Sequence, residues 1–174
     1  TARYDVFLDV YGTSGYCGKQ FLLDVPIPDW AEADPGSDKH MVVVDRDNGC
    51  VYDFWGYNNN LGVPQPNAWW ASGLDTAGDG IYHTTVGAGN AANLSFAHAA
   101  VWPDEVAAGE IPHALVFGYD YRAVKLGDPI GPAEHNDGTS TEIYALPEGT
   151  HIQLDPTLDL DTLNLEPHEQ TIAR

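Results

Sequence analysis

Apolar and polar residues alternate from the start of the chain. In Tyr4-Asp5-Val6-Phe7-Leu8-Asp9-Val10-Tyr11, Asp5 and Asp9 lie opposite Val6, Leu8 and Val10, which predicts a half-buried strand. Gly12-Thr13-Ser14-Gly15 breaks the run, and Gln20 to Val25 predicts a second strand before a polar loop opened by Pro26 and Pro28. Two apolar runs follow, Met41-Val42-Val43-Val44 and Cys50-Val51-Tyr52-Asp53-Phe54-Trp55. Between them Asp45-Arg46-Asp47-Asn48-Gly49 has the composition of a tight turn, with Asn48 and Gly49 suited to positive φ. A β-hairpin is predicted here.

The pattern then dissolves. Residues 56–94, with Asn58 to Asn60, Pro64, Pro66, Trp69, Trp70 and scattered glycines, read as a long irregular loop of the kind that often carries function. Pro103-Asp104-Glu105-Val106-Ala107-Ala108 predicts a short helix with acids at its positive end and Gly109 as its stop. Alternation returns at His113 to Tyr121, and strands are also expected at Thr141 to Leu146 and Thr150 to Leu154, joined by Pro147-Glu148-Gly149. Leu165, His168 and Ile172 approximate helical spacing, with Asp161 or Asn164 as cap. Many short strands with few helices predict an all-β, antiparallel β-sandwich of jelly-roll type, with a long irregular loop and a C-terminal helix. A chain of 174 residues is expected to form one domain over 1–174, truncated at that helix.

Charge narrows the partners. Seven Lys+Arg against 26 Asp+Glu give a net charge of −19, which repels nucleic acid and anionic membrane surfaces. The apolar runs are too short for membrane insertion. The bland role of such acidity is solvation, in salt or in a calcium-rich medium. Cys17 and Cys50, each beside a predicted strand, suit one disulfide in an oxidising compartment, and Asn93-Leu94-Ser95 is a glycosylation sequon. These features place the protein outside the cell, secreted or extracellular.

Candidate chemistry gathers in a few places. His40 and Asp53 belong to the hairpin, and a carboxylate beside an aromatic platform is an arrangement that glycosidases use. Glu110 and His113 bracket Pro112, where a histidine can serve as general base or metal ligand. His40, Asp53, Glu110 and His113 are therefore the catalytic candidates. His40, His113 and His135 are also candidates for a three-histidine metal site at one mouth of a jelly roll, with Glu134, Asp128 and Asp137 nearby in sequence. Asp45-x-Asp47-Asn48-Gly49 fails as an EF-hand loop, because its Gly stands one position early and residue 56 is Gly56 where a glutamate must close the loop. Asp75 and Asp79 are the candidates for a looser Ca²⁺ site. Trp55, Tyr57, Trp69 and Trp70, interleaved with Asn58, Asn59, Asn60, Gln65 and Asn67, supply the flat rings and paired donors and acceptors that sugars need.

Two blocks carry a family resemblance. Pro26-Ile27-Pro28, Gly36-Ser37-Asp38-Lys39-His40-Met41-Val42-Val43-Val44-Asp45 and Cys50-Val51-Tyr52-Asp53 form the first, and Asp104 to Leu115 the second. Together they resemble an uncharacterised family of large secreted bacterial proteins, β-rich and jelly-roll-like. The resemblance implies a secreted domain that continues past Arg174 and implies no particular activity. Asp53 stands where a glutamate is expected, and the Asn/Trp loop is expanded.

The leading expectation is a secreted carbohydrate-active protein, a glycoside hydrolase or polysaccharide lyase acting on a polysaccharide or glycan. The alternatives are a non-catalytic glycan-binding or adhesion module, and a structural surface or filament protein whose subunits pair edge to edge.

Overall fold

The structure, a computed structural model, describes residues 2–8, 22–59, 67–68, 70–83 and 90–174. Within them the chain forms small, mostly antiparallel sheets with few helices. Strands β1 (Tyr4–Leu8), β2 (Leu22–Val25) and β5 (Asn67–Ala68) make one three-stranded sheet in the order β2-β1-β5, with β1 and β5 parallel. Strands β3 (Met41–Asp45), β4 (Cys50–Trp55) and β6 (Trp70–Asp75) make the other, antiparallel throughout and ordered β3-β4-β6.

The predicted hairpin is present, in register from Met41↔Phe54 to Asp45↔Cys50. Its turn works differently from the expected Asn-Gly pair. Gly49 alone takes positive φ, at 65°, and the Asp45 side chain organises the rest. Asp45 Oδ1 accepts from the Asn48 amide at 3.2 Å, and Oδ2 accepts from Asn48 Nδ2 at 2.8 Å and from Arg3. Burial pushes the Asp45 carboxyl up, but the bonds from Asn48 and Arg3 outweigh it and hold the carboxyl below its usual range.

Register divides the hairpin into two faces, because side chains paired across strands point the same way. Met41, Val43, Asp45, Cys50, Tyr52 and Phe54 share the core face. Most of them join Val6 and Val25 of the other sheet, with Ile27 and Tyr57, in one buried cluster. Val42, Val44, Val51 and Asp53 share the opposite face. Val42 and Val44 are only half-buried, whereas Val51 and Asp53 are sealed. Since β4 is central and covered on both sides, its residues 50–54 are all buried, and no alternation in burial survives there.

The second half of the chain departs from expectation. Residues 113–121 join no strand ladder among the described residues, and Val116 N–H donates to Ala99 O at 3.0 Å. Phe117, Tyr119 and Tyr121 are each about half exposed. Of the segments expected as strands, 141–146 contributes one isolated bridge, Val124↔Leu146, next to Lys125↔Ser140, and 150–154 contributes none. Helix α1 (Pro103–Ala108) ends as predicted, with Gly109 left-handed at φ 77° and its N–H on the last turn. The terminal helix α2 (Pro167–Ala173) is present, but neither Asp161 nor Asn164 caps it. Glu169 reaches back to the Glu166 amide at 2.8 Å, while Asn164 closes a preceding 3₁₀ turn, Leu160–Leu163. No helix of the described residues is long and apolar enough to cross a membrane.

Candidate functional site

The outer face of the second sheet holds the densest chemistry. Residues 80–82 and 93–95 form a short antiparallel bridge, with Ser95 N–H on Gly80 O and Tyr82 N–H on Asn93 O, both 2.8 Å. This lid lies over Asp53. Tyr82 Oη donates to Asp53 Oδ2 at 2.6 Å, and neither residue is more than 3% exposed. Burial raises the Asp53 carboxyl to about 6. Tyr82 and the Ser95 hydroxyl, then the Phe96 amide and His98, hold it from rising further. Burial and the charge of Asp53 push the Tyr82 phenol well up. His98 Nδ1 meets Ser95 Oγ at 3.0 Å, which completes a row Asp53, Tyr82, Ser95, His98.

Gly80 makes the close approach possible. Its φ is 79°, and a Cβ there would come within 2.9 Å of His98 Cβ.

The face that carries the catalytic candidate Asp53 is thus closed by the lid. His40 lies further along it, in a concavity of about 450 Å³ with Asp34, Asp38, Val42 and Phe96. Its ring packs edge-on to Phe96 at 5.1 Å, and Nδ1 lies 3.3 Å from Phe54 O. A carbonyl only accepts, so Nδ1 is the donor in this contact. Asp34 serves its own loop, accepting from the Gly36 and His40 amides, and these bonds hold its carboxyl below the usual range.

The other catalytic candidates lie elsewhere. His113 Nε2 is 2.8 Å from Glu105 Oε1, and Nδ1 meets Ala114 O at 3.0 Å. Its partner is therefore Glu105, whose other oxygen accepts from the Trp102 amide at 3.0 Å to cap α1. Glu110 is exposed, and its own amide donates to Glu105 O in the helix cap. Of the sugar-binding candidates, Trp55 is half-buried and Tyr57 is a core residue, 2% exposed and edge-on to Phe54. Burial pushes the Tyr57 phenol up to about 12. Trp69 lies outside the described residues, as does the side chain of Trp70.

Three comparisons bear on identity. The chain matches no protein-family model, no curated protein and no solved structure. Its function therefore has to be read from its own geometry.

The metal candidates are engaged locally. Asp75 Oδ1 accepts from the Ala77 amide at 2.8 Å, and Asp79 Oδ1 from the Ile81 amide at 2.9 Å. Among the described residues, no group of three or more His, Cys, Asp or Glu gathers to hold a metal ion. His135 is turned to Ala91 O at 2.9 Å. Cys50 is buried on the core face, and Cys17 lies outside the described residues. The sequon side chain Asn93 is fully buried, so this fold offers no room for a glycan on it.

Besides the lid over Asp53 and strand β6, which lies inside the stretch 56–94 expected as an irregular loop, two further features escaped sequence reasoning. His83 is clasped on both ring nitrogens, Nε2 to Asp79 at 3.0 Å and Nδ1 to Glu134 at 2.6 Å. The other is the exposed aromatic row Phe117, Tyr119 and Tyr121. Phe117 and Tyr119 meet edge-to-face at 6.4 Å, and the Arg122 guanidinium sits 5.9 Å over the Tyr121 ring. Arg122 also pairs with Asp120 through two bonds of 3.0 and 2.7 Å. The alternation that marks this row was visible, but the same pattern serves a buried strand.

Proposed function

We propose that this protein is an extracellular glycan-binding module that does not cleave its ligand. The observation that carries the reading is the aromatic row. Phe117, Tyr119 and Tyr121 stand at alternate positions of one segment, about half exposed, and among the described residues no neighbouring strand explains them as core. Rings so placed stack on the C–H faces of sugars, and the phenols, Asp120 and Arg122 supply donors and acceptors for hydroxyls. A net charge of −19 favours neutral glycans over polyanionic ones.

Binding is preferred to cleavage on geometric grounds. Glycoside hydrolysis needs two carboxyls flanking a bond that solvent can reach. Asp53 is fully buried under Tyr82, and His113 is tied to the cap of α1. The finer fold reading, one jelly-roll-like sandwich, draws support from the single buried cluster that takes residues from both sheets. A Cys17–Cys50 disulfide and secretion belong to the same reading.

A panel of neutral and acidic oligosaccharides, read by calorimetry and by product release over long incubation, tests it. Binding of a neutral glycan is expected without new reducing ends. Tyr119→Ala and Tyr121→Ala should each weaken binding about tenfold, since a lost stacking contact is worth on the order of 1 kcal/mol or more. Unchanged affinity in both variants, or product formation, would overturn the proposal.

A further inference from the structure

Two rings of the aromatic row face in different directions. The centroids of Phe117 and Tyr119 are 6.4 Å apart, and their planes are 75° from each other. The contact is edge-to-face, so each ring keeps at least one face clear of the other, and each is about half exposed. The pair forms a corner rather than a flat platform.

The segment is tied down at both ends. Before the corner, Val116 N–H donates to Ala99 O at 3.0 Å. After it, the amides of Ala123 and Val124 donate to Asp120 O at 2.8 and 3.2 Å, Val124 is buried, and Lys125 N–H reaches Leu146 O at 2.9 Å. Arg122 is fixed as well. Its amide, Nε and Nη2 all donate to the Asp120 carboxylate, while its guanidinium covers one face of the Tyr121 ring. Asp120 and Arg122 are the charged residues of 117–122 and pair with each other, so the row presents rings and phenols with no uncompensated charge. A neutral ligand rich in hydroxyls suits it, and the fixed backbone lessens the entropy lost on binding.

Shape then narrows the ligand. A sugar stacks by laying its C–H face flat on a ring. In a β-1,4-linked ribbon the faces of neighbouring units are parallel, so only one of two rings 75° apart can lie flat on it. In an α-1,4-linked glucan each unit is turned from the one before, and the chain coils. Successive units then face in different directions, at a step comparable with the 6.4 Å between the rings.

We infer that the Phe117–Tyr119 corner reads the curvature of its ligand and selects coiled, α-1,4-linked glucan over flat β-1,4-linked chains. This rests on the glycan-binding reading and names the glycan. Tyr121, whose ring is paired with Arg122, adds affinity without choosing between the two chains.

Calorimetric titration of the full chain with maltopentaose, cellopentaose and a cyclic α-1,4-glucan tests this. Maltopentaose is expected to bind about tenfold more tightly than cellopentaose, because the coiled chain engages two rings where the flat chain engages one. The cyclic glucan has no chain ends, so its expected binding separates curvature from recognition of a terminal unit. Phe117→Ala removes one wall of the corner and should bring the two linear affinities within about twofold of each other. Tyr121→Ala should weaken both and keep their ratio. Thermal unfolding checks that changes at these half-exposed positions leave the fold intact. Cellopentaose binding as tightly as maltopentaose, a cyclic glucan that does not bind, or an unchanged ratio in Phe117→Ala would overturn the inference and leave glycan binding standing. Failure of every neutral glycan to bind would overturn both.

Discussion

Replacing Asp53 by asparagine tests the buried network directly. The wild-type carboxyl titrates at about 6 in the folded chain against 3.8 for an ordinary aspartate. The folded state therefore holds this proton more tightly than the unfolded state, and stability falls as pH rises from about 4 through 6. At about 1.4 kcal/mol per pH unit, ionised Asp53 costs the fold on the order of 3 kcal/mol above that range. The carboxamide of the Asp53→Asn variant keeps an acceptor for Tyr82 and nearly the same shape, but it cannot ionise. Urea unfolding followed by tryptophan fluorescence at pH 4 and pH 8 gives the difference. The variant should match wild type at the acid end within about 1 kcal/mol. It should exceed wild type by up to about 3 kcal/mol at the alkaline end. Tyr82→Phe should do the reverse, losing about 1–3 kcal/mol mainly where Asp53 is charged. A stability gap between Asp53→Asn and wild type that does not widen with pH would refute the reasoning.

Gly80→Ala should destabilise by about 2 kcal/mol or more, since the left-handed conformation alone costs about 1–2 kcal/mol and the new methyl meets His98. Thermal unfolding measures it, and a neutral effect would mean that the lid is not packed as described. His83→Gln should loosen the clasp between Asp79 and Glu134. Their hydrogen bonds raise the pKa of His83, with Asp79 the larger influence. The clasp is therefore complete below the ordinary histidine range and is lost as pH rises through the raised value. Amide exchange near Glu134 should accelerate in the variant at about pH 5.5 and match wild type at about pH 9. Equal exchange at both pH values would count against the clasp.

What could be read from the sequence was mainly local. The hairpin at 41–55 and helix α1 were legible because their signals, a glycine-containing turn and acids before Gly109, act within a few residues. Asp53 belongs to that legible hairpin, but what covers it comes from residues 80–98, with Tyr82 29 positions away, and no periodicity announces it. Tyr57 was read as a sugar platform and is core for a similar reason: Phe54 and the buried cluster claim it. At 113–121 the error was of another type. Alternation shows that one set of side chains shares a face, and says nothing about whether that face is covered. Among the site candidates, His40 borders a real concavity, whereas Glu110 and His113 belong to a helix cap and its surroundings.

The central place of β4 also bears on how the chain reaches its fold. The β3–β4–β6 ladder joins residues close in sequence, so its contacts have low contact order and can form early, at small loop-closure cost. The lid packs on a sheet that must already be formed, and the β1–β5 pairing joins Phe7 to Asn67, so both should come later. Changes in the lid should then appear mainly in the unfolding rate, while changes in the hairpin turn at Asp45 and Gly49 should slow folding itself. Arg3, just before β1, reaches Asp45 and so ties the hairpin turn to the other sheet.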